Sequence, residues 1–152
     1  MEQIELMNIL RNSGYNIDVF EGIDCVTCLV KKEDLYDFMK FLKTDEKLKF
    51  NMIVDVTAVD YPEDRPRFEI VYHVYSIDNN IRLRIKLKVE ENDSLESVTS
   101  LWKGAEWLER EVFDMFGITF NNHPDLRRIL MNEDFKYYPL RKDFPLQGIE
   151  ES

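Results

Sequence analysis

The nine residues Ile81–Val89, IRLRIKLKV, alternate without a break. Ile81, Leu83, Ile85, Leu87 and Val89 fall on one side of an extended chain, and Arg82, Arg84, Lys86 and Lys88 on the other. Strand side chains point to opposite faces in turn, so this pattern specifies a strand with one face in a core and one in water. Such a strand needs neighbours beside it and a layer over its apolar face, which commits the chain to a covered sheet. The basic row reads by default as a solvated face; a docking patch for an acidic partner is the lesser reading.

The neighbours follow from the flanking sequence. RFEIVYHVYSI is apolar on both faces and reads as an interior strand. Asp78, Asn79 and Asn80 supply turn residues, so it forms a hairpin with Ile81–Val89. NMIVDVTAVD is a further strand with Met52, Val54, Val56 and Ala58 on one face, and GIDCVTCLV a short one. Ile4, Met7 and Leu10, stopped by Gly14, give a helix; Leu35, Phe38, Met39 and Leu42 give a second. SLESVTSLW is expected to be a short helix. A longer one covers residues 105–116, with Ala105, Leu108, Val112 and Met115 on its stripe and Gly117 at a left-handed cap. This order predicts an α+β fold: a mostly antiparallel sheet of about four strands, helices packed on one face, and an extended C-terminal tail.

The expected division is an α+β domain over residues 1–117 and a tail over 118–152. The tail has no sustained period, yet it holds Phe120, Leu126, Ile129, Leu130, Phe135, Tyr137, Tyr138, Leu140, Phe144 and Leu146. That aromatic content excludes a compositionally disordered segment. It predicts a chain lying extended on a surface, either its own domain or another protein.

The 152 residues suit one domain. A net charge of −10 argues against nonspecific binding to phosphate backbones. No apolar run approaches the roughly 20 residues that span a bilayer. The acidic start, MEQIELMNIL, lacks the features of a signal peptide. The expected location is therefore the cytosol, with membrane association only through partners.

The candidate chemistry is thin. Cys25 and Cys28 have metal or redox spacing, but no further cysteine completes a four-ligand site, so two small buried thiols are expected. His73 reads as a packed strand residue. His123 precedes Pro124 and suits binding a carboxylate or capping a turn. No phosphate-binding glycine loop, H-E-x-x-H or G-x-S-x-G is present. Glu109 and Glu111 look like a catalytic pair, but on a helix they lie ~200° apart, at ~100° per residue. They cannot act on one bond. Glu106, Arg110 and Asp114 are spaced to share a face as a charge ladder. Arg127, Arg128, Arg141 and Lys142 follow, and a helix carboxylate gripped by a tail arginine would pin the tail. A hydrolase using Glu109 or Glu111 with His123 is the competing enzymatic reading.

The stretch EREVFDMFGITFNNHPDLRRILM, residues 109–131, resembles the signature of the 30-kilodalton subunit, or C-subunit, of respiratory complex I, NADH:quinone oxidoreductase. The matching residues are Glu109, Arg110, Glu111, Asp114, Met115, Phe116, His123, Arg127, Ile129 and Leu130. YYPLRKDFPLQG, VDVTAVDY and FEIVYHVYS also look like the family. The resemblance implies a structural, non-catalytic member of the peripheral arm with no redox centre, catalytic residue or metal of its own. FMN, iron–sulfur clusters and quinone are implied on other subunits. The implied partner is the D-subunit, the large subunit that lines the quinone site, and the implied place is the cytoplasmic side of the inner membrane. The lack of long terminal extensions fits a compact bacterial or archaeal version. The alternative parent is a membrane-bound hydrogenase or a deazaflavin-coenzyme dehydrogenase with an equivalent subunit.

Overall fold

The computed structural model describes residues 1–128 and 137–143. The expectations placed on Ile129, Leu130, Phe135, Phe144 and Leu146 fall outside the described residues. The elements run α1 (Gln3–Arg11), β1 (Asp18–Glu21), β2 (Val26–Leu29), α2 (Leu35–Thr44), β3 (Met52–Asp60), β4 (Phe68–Ser76), β5 (Ile81–Val89), β6 (Ser94–Glu96), α3 (Ala105–Phe116) and β7 (Thr119–Asn121).

The alternating segment becomes β5 and sits at the centre of a five-stranded sheet ordered β1-β2-β5-β4-β3. Its five apolar residues are all buried. β4 is interior, as its two-sided apolar pattern requires, and pairs antiparallel with both β5 and β3. β1 and β2 also pair antiparallel, but β2 joins β5 in parallel, so the sheet is mixed. The inner face meets α1, α2 and α3 in one core that includes Leu10, Phe38, Leu42, Ile70, Tyr72, Leu83 and Val112. Leu35, Phe38, Met39 and Leu42 of α2 are fully buried, as their spacing predicts.

The α+β class with helices on one face stands; the strand count does not. Among the described residues there are five strands in the main sheet and a two-stranded β6–β7 pair, not about four. β1 escapes sequence reading because it is an edge strand with almost no buried residue and hence no periodic signal. SLESVTSLW is not a helix: Ser94–Glu96 forms β6, which pairs in parallel with β7. Its serines and threonine favour side-chain bonds to backbone over helix, and Ser97 does this, its hydroxyl oxygen accepting from Thr99 N–H at 3.2 Å.

Two faces are also corrected. In α1 the buried residues are Leu6 and Leu10, while Ile4 is 74% exposed. In β3 the pairing shifts between Ile53 and Asp55, a bulge that reverses the facing of the strand's start. Met52 therefore points outward while Ile53 and Val56 meet the core.

Candidate interface site

Helix α3 carries Glu109, Arg110, Glu111 and Asp114, and steps of ~100° per residue send them in different directions. Glu109 faces the sheet and has no exposed surface. Its Oε1 accepts from the Ser97 hydroxyl at 2.5 Å and its Oε2 from the Val98 N–H at 3.0 Å. Glu109 thus ties the segment after β6 to the helix from inside. Burial pushes its carboxyl up to about 7, against the pull of these two donors. The Tyr72 hydroxyl is buried without a hydrogen-bond partner among the described residues, and burial raises its pKa well above the ordinary value. Glu111 lies on the outer side, where it accepts from the Trp107 indole N–H at 3.0 Å. The two glutamates are separated, as helical geometry requires.

Arg110 faces the chain that follows β7. Its Nε donates to the Asp125 carbonyl at 2.6 Å and its terminal nitrogen to Asp125 Oδ2 at 2.7 Å. The contact to Glu106, one helical turn back, is longer at 3.5 Å. His123 completes the corner: Asp125 N–H donates to its Nδ1 at 3.0 Å, so the ring proton sits on Nε2 and is given to the Glu106 carbonyl at 2.8 Å. His123 is thereby a turn cap bonded to the helix backbone. Arg127 reaches the same Asp125 carboxylate at 3.1 Å, but is 60% exposed.

Asp114 does not extend the Glu106–Arg110 ladder. Its side chain has no exposed surface, and Arg128 reaches it from the tail. Arg128 Nε donates to Asp114 Oδ1 at 2.5 Å, and its terminal nitrogen to the carbonyls of Asp114 at 2.6 Å and Tyr137 at 3.0 Å. Residues 137–143 cross the C-terminal end of the helix, where carbonyls lack intrahelical donors. Leu140 N–H supplies Met115, and Arg141 Nε supplies Phe116 at 2.7 Å. Two guanidiniums lie over the Tyr138 ring, Arg128 at 4.9 Å and Arg141 at 4.7 Å from its centroid. Gly117 lies under this stack with φ +78, and a Cβ there would meet Tyr138 Cε2 at 2.7 Å.

Lys142 contributes through its backbone: its N–H donates to Asp60 Oδ2 at 2.7 Å while its side chain is exposed. Asp60 is buried and also takes the Arg67 guanidinium in a two-point bond, Nε at 2.7 Å and a terminal nitrogen at 2.8 Å. The Arg67 bond, with help from Lys142 N–H, holds the Asp60 carboxyl below its usual range. Arg141 closes the cluster on Glu91 at 2.5 Å.

Sequence reading missed Asp60, Arg67, Glu91, Ser97 and Asp125. Asp60 had a usable signal, since it shares parity with Val56 and Ala58, and an inward carboxylate needs a buried partner. Cys25 and Cys28 are both buried thiols, and burial pushes Cys28 up to about 12. Among the described residues no group of three His, Cys, Asp or Glu side chains is arranged to hold a metal ion, and no helix is long and apolar enough to cross a membrane. A hydrolytic Glu109 would have to touch substrate, and its full enclosure prevents that. What the cluster can do is fix a chain segment against a helix through charge-assisted bonds.

The sequence profile of the family described as respiratory-chain NADH dehydrogenase, 30 Kd subunit, matches residues 28–150. The NADH-quinone oxidoreductase C-subunit of Geotalea uraniireducens is 54% identical over 146 residues, covering 95% of this chain and 87% of that protein. The same-named protein of Geobacter metallireducens is 52% identical over 134 residues, covering 87% and 82%. Among solved structures, a chain of the membrane-bound sulfane sulfur reductase, an archaeal respiratory membrane complex, superposes with a TM-score of 0.79 over 95% of this chain and 85% of that one. At 23% identity that likeness speaks for the fold alone. The chain belongs to the family of the 30-kilodalton subunit of respiratory NADH dehydrogenase, the C-subunit family of NADH-quinone oxidoreductase.

Proposed function

We propose that this chain is a structural subunit of the peripheral arm of a proton-translocating NADH:quinone oxidoreductase. The observation that carries the reading is 54% identity across nearly the whole chain to an NADH-quinone oxidoreductase C-subunit. In this role the chain conducts no electrons. FMN and iron–sulfur clusters on other subunits pass electrons from NADH to quinone, and this chain helps to position the quinone module. It works on the cytoplasmic side of the inner membrane, held there by partners. The relatives above 50% identity carry the quinone-oxidoreductase name, which favours this parent over a hydrogenase or deazaflavin-coenzyme dehydrogenase.

The signature residues Glu109, Arg110, Glu111, Asp114, His123, Arg127, Arg128, Arg141 and Lys142 serve a joint. Arg110, Asp114, His123, Arg127, Arg128, Arg141 and the Lys142 backbone hold residues 118–128 and 137–143 so that they dock on the D-subunit, the large quinone-site neighbour, while Glu109 ties the helix to Ser97 and Val98 and Glu111 bonds Trp107 on its outer side. The bonds from Arg110, Arg128 and Arg141 to α3 and its flanks support this, as do the exposed side chains of Tyr137 (39%) and Leu140 (55%) on the docked segment. Deletion of the gene tests the reading: membranes should lose NADH:quinone reductase activity and the assembled peripheral arm together. An assembled, fully active enzyme in the deletion strain would overturn it.

A further inference from the structure

The helices cover the inner face of the five-stranded sheet, and among the described residues no helix covers the outer face. That outer face departs from the charge of the whole. The chain carries a net −10, yet here β5 presents Arg82, Arg84, Lys86 and Lys88 against Asp18 of β1, Asp55 of β3 and Glu69 of β4. Its internal pairing is incomplete. Lys86 and Lys88 share the one carboxylate of Glu69 at 3.5 and 3.7 Å. Arg84 is held by His73 instead: Arg84 Nε donates to His73 Nε2 at 2.9 Å, and His73 Nδ1–H to Asp55 at 2.7 Å. This cross-strand row aims a fixed guanidinium without neutralising its neighbours. Arg82 is exposed.

At the Lys88 end of the stripe a concavity of about 430 Å³ opens where β2 and β5 end, lined by Leu29, Pro66, Lys31, Lys86 and Lys88, with Glu33, Glu69 and Asp93 also on its wall. Leu29 beside it is 40% exposed, and Phe20 of the adjoining strand is 41% exposed. A cationic row with an apolar-floored recess is a complementary surface for carboxylates carried alongside an apolar side chain. A phosphate backbone is a poorer match, because the face carries its own carboxylates.

We propose that this outer sheet face docks an acidic segment of a neighbouring protein. The segment's Asp or Glu side chains meet Arg82, Arg84 and Lys88, and one apolar side chain enters the recess beside Leu29. The inference rests on membership of a multi-subunit complex, and it assigns a second contact, on a different face from the α3 joint.

Carbodiimide coupling of lysines to carboxylates in the purified assembled complex, followed by mass spectrometry, tests it. Amine acetylation of the complex and of the free chain is compared alongside. The expected result is a cross-link from Lys31, Lys86 or Lys88 to an Asp or Glu of another protein in the complex, with slower acetylation of these lysines in the assembled form. An Arg82→Glu, Lys88→Glu double variant should fold with unchanged circular dichroism, lose that cross-link and leave the complex at lower salt than wild type. Cross-links confined to Glu69 and Asp93, with acetylation equal in both forms, would overturn the proposal. So would cross-links to a second copy of this chain, or protection from acetylation with no coupled carboxylate, the pattern of a lipid headgroup. Failure of the wild-type chain to co-purify with any complex would overturn the functional reading, and this proposal with it.

Discussion

Arg128 bonds one residue of α3 twice, through Nε to the Asp114 carboxylate and through a terminal nitrogen to the Asp114 carbonyl. Both side chains are almost wholly out of solvent, at 8% and 0% exposure. Removing one member of a buried pair typically costs about 3–5 kcal/mol. Arg128→Ala should therefore lower the urea midpoint strongly. Arg128→Lys should recover only part of the loss, because an ammonium cannot reproduce the fork. A double-mutant cycle with Asp114→Ala measures the coupling.

Glu109 gives a pH-dependent prediction. Its carboxyl is raised to about 7 in the fold by burial, above an unfolded value near 4.3. The folded state thus favours the proton. Its contribution is fully present below about pH 4.3 and is lost as pH rises through about 7, a change on the order of 3 kcal/mol. Glu109→Gln keeps an acceptor for Val98 N–H and has no charge to bury. It should match wild type near pH 4 and exceed it at pH 8 in denaturant unfolding. Equal stability differences at both pH values would refute the assignment.

Asp60 works in the opposite sense. Arg67 holds its carboxyl below the ordinary range, so its contribution is present above an unfolded value of about 3.9 and is lost as pH falls through the lower folded value. The advantage of wild type over Asp60→Asn should shrink in acid unfolding below about pH 4. Circular dichroism between neutral and strongly acid pH follows it.

Gly117→Ala should be costly for two independent reasons. A left-handed φ of +78 costs an L-residue about 1–2 kcal/mol, and the new methyl strikes Tyr138. The expected result is a lowered thermal midpoint and faster proteolysis within residues 137–143. Tyr138→Ala on the Gly117→Ala background should relieve the clash with the ring and leave the backbone part and the Arg141 terminal nitrogen, 2.8 Å from the new methyl.

Legibility followed periodicity. Ile81–Val89 and Leu35–Leu42 announce themselves because each buries one regular face; of the stripe expected in residues 105–116, Ala105 and Val112 are buried but Leu108 and Met115 only partly, and Glu109, Arg110, Asp114 and Phe116 are buried beside them. Asp18–Glu21 and Ser94–Glu96 bury almost nothing or a single residue, so no pattern reaches the sequence; they are strands only because a partner strand is there. The same holds at the site. Spacing alone parted Glu109 from Glu111. It could not tell that Asp114 meets Arg128 while Arg110 turns to Asp125, since those choices depend on where the chain after β7 runs. Asp60 and Arg67 stand at the facing ends of two expected strands, across a polar loop, where neither period nor spacing pairs them.

The parallel pairing of β2 with β5 has a consequence for how the molecule assembles itself. β3, β4 and β5 join through hairpins, so their contacts close short loops. β2 finds its register, Val26 on Leu83 through Leu29 on Lys86, only after α2, β3 and β4 have been passed. Loop closure of that length is slow compared with hairpin formation, which places the β3–β5 meander early and the N-terminal quarter late. A nascent chain emerging from the ribosome therefore holds α1, β1 and β2 with nowhere to dock until residue 89 has been made. Substitutions at Val26 or Cys28 should chiefly speed unfolding, and those at Tyr72 or Ile85 should slow folding.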